Sequence, residues 1–85
     1  MSLTDTFVRK VNSTKKTGDK YTDGDGMYLL VAPTGKYWRL DYRHLGKRKT
    51  LALGVYPSTT LAKARAKRSY ARAQLADGID PGLAR

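Results

Sequence analysis

The stretch Tyr37-Trp38-Arg39-Leu40-Asp41-Tyr42-Arg43-His44-Leu45 alternates in character. In an extended chain Trp38, Leu40 and Tyr42 fall on one side and Tyr37, Arg39, Asp41 and Arg43 on the other, the period of two expected of a half-buried β-strand. Upstream, Met27-Tyr28-Leu29-Leu30-Val31-Ala32 is a short apolar run that reads as a second strand, and Pro33-Thr34-Gly35-Lys36 between the two is turn chemistry. Downstream, Gly46-Lys47 predicts a hairpin turn, and Arg48 to Leu53 a third strand with Leu51 and Leu53 inward and Arg48, Thr50 and Ala52 outward. Gly54 and Pro57 then break it. The pattern predicts an antiparallel meander of three strands.

Beyond it, Ser58-Thr59-Thr60 offers caps for a helix over Leu61 to Asp77, which is rich in good helix formers and closed by Gly78. Leu61, Ala64, Arg68, Ala71 and Leu75 recur at spacings of three and four, a thin stripe whose alanines permit close approach to the Trp38, Leu40, Leu51 and Leu53 face. Arg68 interrupts the stripe, and its stem is expected to lie on the sheet while its head reaches water. At the other end, Thr4 is a candidate N-cap for a short helix to about Lys10, with Phe7 and Val11 on one face, too short to be stable undocked. Asn12 to Lys20 reads as a surface loop and Asp23-Gly24-Asp25-Gly26 as a turn. The expected class is α+β: a three-stranded antiparallel sheet packed on a C-terminal helix, with a short N-terminal helix. Eighty-five residues support one core only. The expected domain covers residues 1–82, with 83–85 as the start of a linker.

Seventeen Lys and Arg oppose seven Asp and Glu, a formal charge of +10. Residues 21–35 carry two acids and no base, while residues 36–54 carry six bases and one acid, so the excess is grouped in blocks. Such a self-repelling balance points to a polyanionic partner, nucleic acid first. There is no cysteine, which excludes disulfides, thiolate metal sites and thiol nucleophiles. No stretch approaches the ~18 consecutive apolar residues of a membrane helix, and Met1-Ser2-Leu3-Thr4-Asp5 lacks the apolar core of a signal peptide, so a cytoplasmic protein is expected.

Catalytic and metal patterns fail on inspection. His44 is the single histidine, placed at a strand end and read as a surface residue. Asp23-x-Asp25-Gly26 lacks the third acidic ligand and the terminal glutamate of a calcium loop, and Gly24 and Gly26 begin no complete phosphate loop. No Ser-His-Asp or paired-carboxylate set can be assembled. The chain alone is expected to be no enzyme and to use no cofactor or metal.

Taken in order, Asp23-Gly24-Asp25-Gly26-Met27-Tyr28-Leu29-Leu30-Val31, Trp38-Arg39-Leu40-Asp41-Tyr42-Arg43, Gly46 to Pro57, Leu61-Ala62-Lys63-Ala64-Arg65 and Gly78-Ile79-Asp80-Pro81 form a pattern that covers almost the whole chain. The pattern resembles the N-terminal arm-type DNA-binding domain of phage and genomic-island tyrosine integrases. Lys63 stands where that family usually carries an acid, which makes this helix more basic than typical. The resemblance implies a sheet laid in the DNA major groove at repeated arm sites, and a site-specific recombinase whose catalytic arginines and nucleophilic tyrosine lie in a later domain. None of the six tyrosines here inherits that role. Other integrase subunits and an excision factor become candidate partners, and 83–85 the start of a connection to a core-binding and catalytic region.

Candidate DNA contacts follow from placing the outer sheet face in a groove about 12 Å wide, where arginine forks onto guanine. These are Tyr28, Tyr37, Arg39, Asp41, Arg43, Arg48 and Thr50, with Asp41 either accepting from cytosine or, the preferred reading, orienting Arg39 and Arg43. Lys36, Lys47 and Lys49 near the turns, with Thr59 and Thr60 at the helix start, are candidate phosphate contacts. Trp38 and Tyr42 share the leucine face and read as core. Two alternatives carry the same charge: a basic RNA-binding module, which would more often expose stacking aromatics, and a protein-interaction domain for recombinase subunits.

Overall fold

The period-two pattern and the capped helix both form in the computed structural model, which describes residues 2–13 and 18–83. The elements run α1 (Asp5–Lys10), β1 (Asp19–Gly24), β2 (Met27–Ala32), β3 (Gly35–His44), β4 (Lys47–Tyr56) and α2 (Leu61–Ala76). All strands are antiparallel neighbours in the order β1-β2-β3-β4.

The sheet therefore has four strands where the sequence predicts three. The missing one, Asp19–Gly24, lies partly in the segment read as loop and partly in the tetrapeptide read as turn. Its inward side chains include Tyr21, opposite Leu29, and Asp23, so apolar alternation never develops. Pairing with the apolar β2 supplies what β1 lacks. The turn proper shrinks to Asp25 and Gly26, both at positive φ, with a bulge between Thr22 and Gly24. Within the predicted loop, residues 14–17 lie outside the described residues, as do 84 and 85 of the predicted linker.

Two further boundaries shift. β4 continues to Tyr56 instead of stopping at Gly54, because a bulge sets Ala52 against Arg39 and Gly54 against Trp38. Gly54 (φ +149°) has its missing side chain filled by its neighbour: a Cβ there would collide with Thr59. Leu45 and Gly46, not Gly46 and Lys47, form the β3–β4 turn, both at positive φ (53° and 77°).

The core lies between the sheet and both helices. Met27, Leu29 and Val31 of β2, Trp38 and Leu40 of β3, Leu53 of β4, Val8 of α1 and Leu61, Ala64 and Ala71 of α2 are buried together. Trp38 is fully enclosed, and its indole N–H donates to the Thr59 carbonyl at 2.7 Å, pinning the approach to α2. Thr60 caps α2 by accepting from the Lys63 N–H, and Gly78 follows the helix at φ +76°. Thr4 likewise caps α1. On α1, however, the buried residue is Val8 rather than Phe7, which packs edge-on against Tyr21 at 5.0 Å between centroids.

With its apolar stripe so thin, α2 is fastened by charge. Asp23 is buried, and its Oδ1 accepts from the Leu3 N–H (2.7 Å) and Arg65 Nη2 (2.9 Å), its Oδ2 from Arg65 Nε (3.0 Å) and Arg68 Nη1 (2.9 Å). The Arg68 head is thus turned to this carboxylate, not to water as its place in the stripe suggests. Burial by itself raises the Asp23 pKa, but the Arg65 bond, the Leu3 amide and both guanidinium charges outweigh it and hold the carboxyl below its usual range. A second knot fixes the chain after α2: Asp80 ion-pairs with Lys49 of β4 and accepts from the Tyr42 hydroxyl of β3 at 2.5 Å. The Lys49 and Tyr42 bonds bring the Asp80 pKa down to about 2.

Two outcomes are expected. A carboxyl held below its unfolded pKa stabilises the fold fully above that value and less as pH falls through it, so the thermal midpoint should drop between pH 4 and about 2. Asp80→Asn should make that drop shallower; equal slopes for variant and parent would show that Asp80 is not a linked group. Leu45 is 88% exposed and held at φ +53°, so Leu45→Asn relieves strain without loss of packing. It should stabilise the chain by about 0.5–1 kcal/mol in urea unfolding, and a loss of stability would contradict the turn geometry.

Candidate nucleic-acid interface

Both helices pack on one side of the sheet, and the other side is left uncovered among the described residues. Register fixes what stands on it. Lys20 and Thr22 of β1 lie opposite Leu30 and Tyr28 of β2, which lie opposite Tyr37 and Arg39 of β3. Beyond Arg39, Asp41 faces Thr50 of β4 and Arg43 faces Arg48. The structure thus brings together Tyr28, Tyr37, Arg39, Asp41, Arg43, Arg48 and Thr50, all seven groove candidates, on one open face. Lys47, exposed at the start of β4, pairs with His44 and by strand phase falls on the side of Lys49, at the end of the sheet.

The face has internal order. Asp41 Oδ1 accepts from Thr50 Oγ1 at 2.7 Å and from the Tyr28 hydroxyl at 3.3 Å. Neither Arg39 nor Arg43 bonds to it, so the preferred sequence reading of Asp41 as their orienter gives way to a cross-strand hydroxyl network. Arg39 instead lies 5.9 Å from the Tyr37 ring, whose hydroxyl pairs with Thr34 Oγ1 at 2.8 Å. Tyr28 is buried although it belongs to this face, because the Lys20 ammonium sits 5.0 Å over its ring. Burial, then the Asp41 charge, pushes its phenol above the ordinary value, which keeps the hydroxyl a donor.

The other four phosphate candidates also stand off this face. Lys36 and Lys49 fall on the helix side of the sheet: Lys36 Nζ donates to the carbonyls of Val8 (2.7 Å) and Arg9 (3.0 Å) at the end of α1, and Lys49 pairs with Asp80. Thr59 is buried with its carbonyl on Trp38, and the Thr60 hydroxyl already caps α2. A turn lysine looks free in sequence, yet the strand phase decides its side. Conversely, Lys20 belongs to the open face and escapes a reading that makes 12–20 a loop; its only signal is the alternation Lys20, Tyr21, Thr22. Among the described residues no cluster of three or more His, Asp or Glu could hold a metal, and no helix is long and apolar enough to cross a membrane.

Comparison with known proteins agrees with this arrangement. Residues 3–85 match the family described as Arm DNA-binding domain. The chain is similar to the protein described as "Putative protein IntB" of Escherichia coli K12, with 65% identity over 57 residues covering 66% of this chain and 14% of that protein. It is similar to the integrase of Enterobacteria phage P4, at 47% over 79 residues (87% and 18%), and to that of Shigella phage Sf6, at 42% over 77 residues (87% and 20%). The chain spans a fifth or less of the length of these relatives. With the family matched from Leu3 to Arg85, across every element of the fold, this chain belongs to the arm DNA-binding domain family.

Proposed function

We propose that the chain binds duplex DNA with sequence preference, laying the open face of its sheet in the major groove as the arm-binding part of a phage-type integrase. One observation carries the reading: Lys20, Arg39, Arg43 and Arg48 stand together on a sheet face that neither helix covers, while Lys36, Lys49, Arg65, Lys67 and Arg68 on the opposite side are engaged within the fold. Paired strands of this width fit a major groove, and arginine forks read guanine edges there. Covered by Lys20, the Tyr28 ring is no stacking platform, which favours duplex DNA over single-stranded RNA. In this reading residues 1–82 are the binding unit and 83–85 begin the connection to a catalytic part that carries out strand exchange in the cytoplasm. Other integrase subunits and an excision factor would meet the domain on the arm DNA, and the chain itself neither cleaves nor joins strands.

The test is titration of the chain against a duplex selected from a randomised pool and against a scrambled control, at several salt concentrations. About five phosphate contacts give a log–log salt slope of about −4 to −6; a slope near zero would overturn the reading. Arg39→Ala and Arg43→Ala should each cost ~1–3 kcal/mol on the selected duplex and less on the control. Lys47→Ala should weaken both equally and flatten the slope by about one unit, because a phosphate contact carries no sequence information. Arg72→Ala, exposed on α2, should do neither; were it the variant that abolishes preference, the helix and not the sheet would face the DNA.

A further inference from the structure

Asp41 is the one carboxylate that the described strands place on the open face, and its position is fixed from three directions. Its N–H donates to the Gly26 carbonyl at 2.9 Å, an approach so close that a Cβ on Gly26 would run into the Asp41 carbonyl. From either side Tyr28 and Thr50 donate to the same oxygen, Oδ1. Oδ2 takes part in neither bond, and among the described residues Asp41 forms no ion pair. The carboxylate lines a shallow depression with Lys20, Tyr28, Arg48 and Thr50.

A fixed carboxylate facing a polyanion weakens binding unless the duplex supplies a donor to meet it. The donors on major-groove base edges are the exocyclic amines of cytosine and adenine. Adenine N6 stands beside N7, an acceptor that repels a carboxylate, whereas the cytosine edge presents N4 with no acceptor beside it. We propose that Asp41 determines specificity by accepting from a cytosine N4 through Oδ2 while repelling the acceptor-bearing edges of guanine and thymine. Lys20 and Arg48, on the same depression, hold the flanking phosphates. The inference rests on the reading of the open face as the DNA-contacting surface and adds the polarity of the base it selects.

Selection from randomised duplexes with the parent chain, Asp41→Asn, Asp41→Ala and Thr50→Val tests it, with a thermal melt of each variant as the folding control. The parent should enrich cytosine at one position, worth about 5- to 10-fold in Kd over other bases there. Asp41→Asn keeps Oδ1 as the acceptor for Tyr28 and Thr50, so it retains the fold, and it puts an amide donor where Oδ2 stood; it should move that position from cytosine to an acceptor-bearing edge, guanine or thymine. Asp41→Ala should erase the preference there and bind scrambled duplex several-fold more tightly. Thr50→Val should weaken discrimination without creating a preference for guanine or thymine. If parent and Asp41→Asn select the same sequence, Asp41 serves the sheet alone and the inference fails while the DNA reading stands. If the parent enriches nothing, the DNA reading falls and this inference with it.

Discussion

One buried carboxylate determines how the chain closes. Asp23 receives four hydrogen bonds from three residues in two distant parts of the sequence: the N-terminal segment at Leu3 and two arginines of α2. Edge strand β1 is thereby joined to the helix and to the chain start, and Arg65 adds a bond to the Leu3 carbonyl. A helix whose buried side chains are Leu61, Ala64 and Ala71 excludes too little apolar surface to define its own seat. Ionic geometry defines it instead, since a guanidinium forked onto a carboxylate admits few orientations. Both helices are held to one side of the sheet as a result, and the other side stays open.

The same fact explains what was legible in the sequence. β2, β3, β4 and α2 announce themselves because Trp38, Leu40, Leu51 and the alanine stripe obey the period of their element. β1 does not, because its key inward residue is an aspartate whose partners lie more than forty positions away at Arg65 and Arg68. An aspartate between glycine and threonine has a strong local meaning as a turn residue, and the tertiary ion pair overrides it. The faces of β3 were readable for the same reason that Lys36 and Lys49 were not: phase is clear in the middle of a patterned strand and ambiguous at turns. The open face was therefore legible on β3 and at Arg48 and Thr50, but lacked Lys20.

Net charge overstates what this surface offers to a partner. Of the basic side chains, Lys36, Lys49, Arg65, Lys67 and Arg68 donate to carboxylates or carbonyls inside the fold. They tie α1, the segment after α2, and α2 itself to the sheet. Small domains with little apolar core can use such bonds where larger ones use packing, at a cost in desolvation that partial exposure of the heads reduces. The +10 balance thus serves two purposes, internal fastening and external attraction, and only the second depends on a polyanion.

A binding face built on strands also fixes the length of sequence it can meet. Side chains on one face recur every second residue, so Arg39 and Arg43 stand about 13 Å apart along β3, with Arg48 across from the second of them. At about 3.4 Å per step, that span matches roughly four base pairs of a duplex strand. Asp41 lies midway, held by hydroxyls from the strands on either side, and Lys20 lies two strands away over the Tyr28 ring. In the proposed complex the arginines thus address the ends of a short site and the carboxylate its centre. A site of that length recurs often by chance in any genome, so in the proposed complex selectivity would come from several such sites read at once, since linked binding events reach a preference that one domain of this size does not.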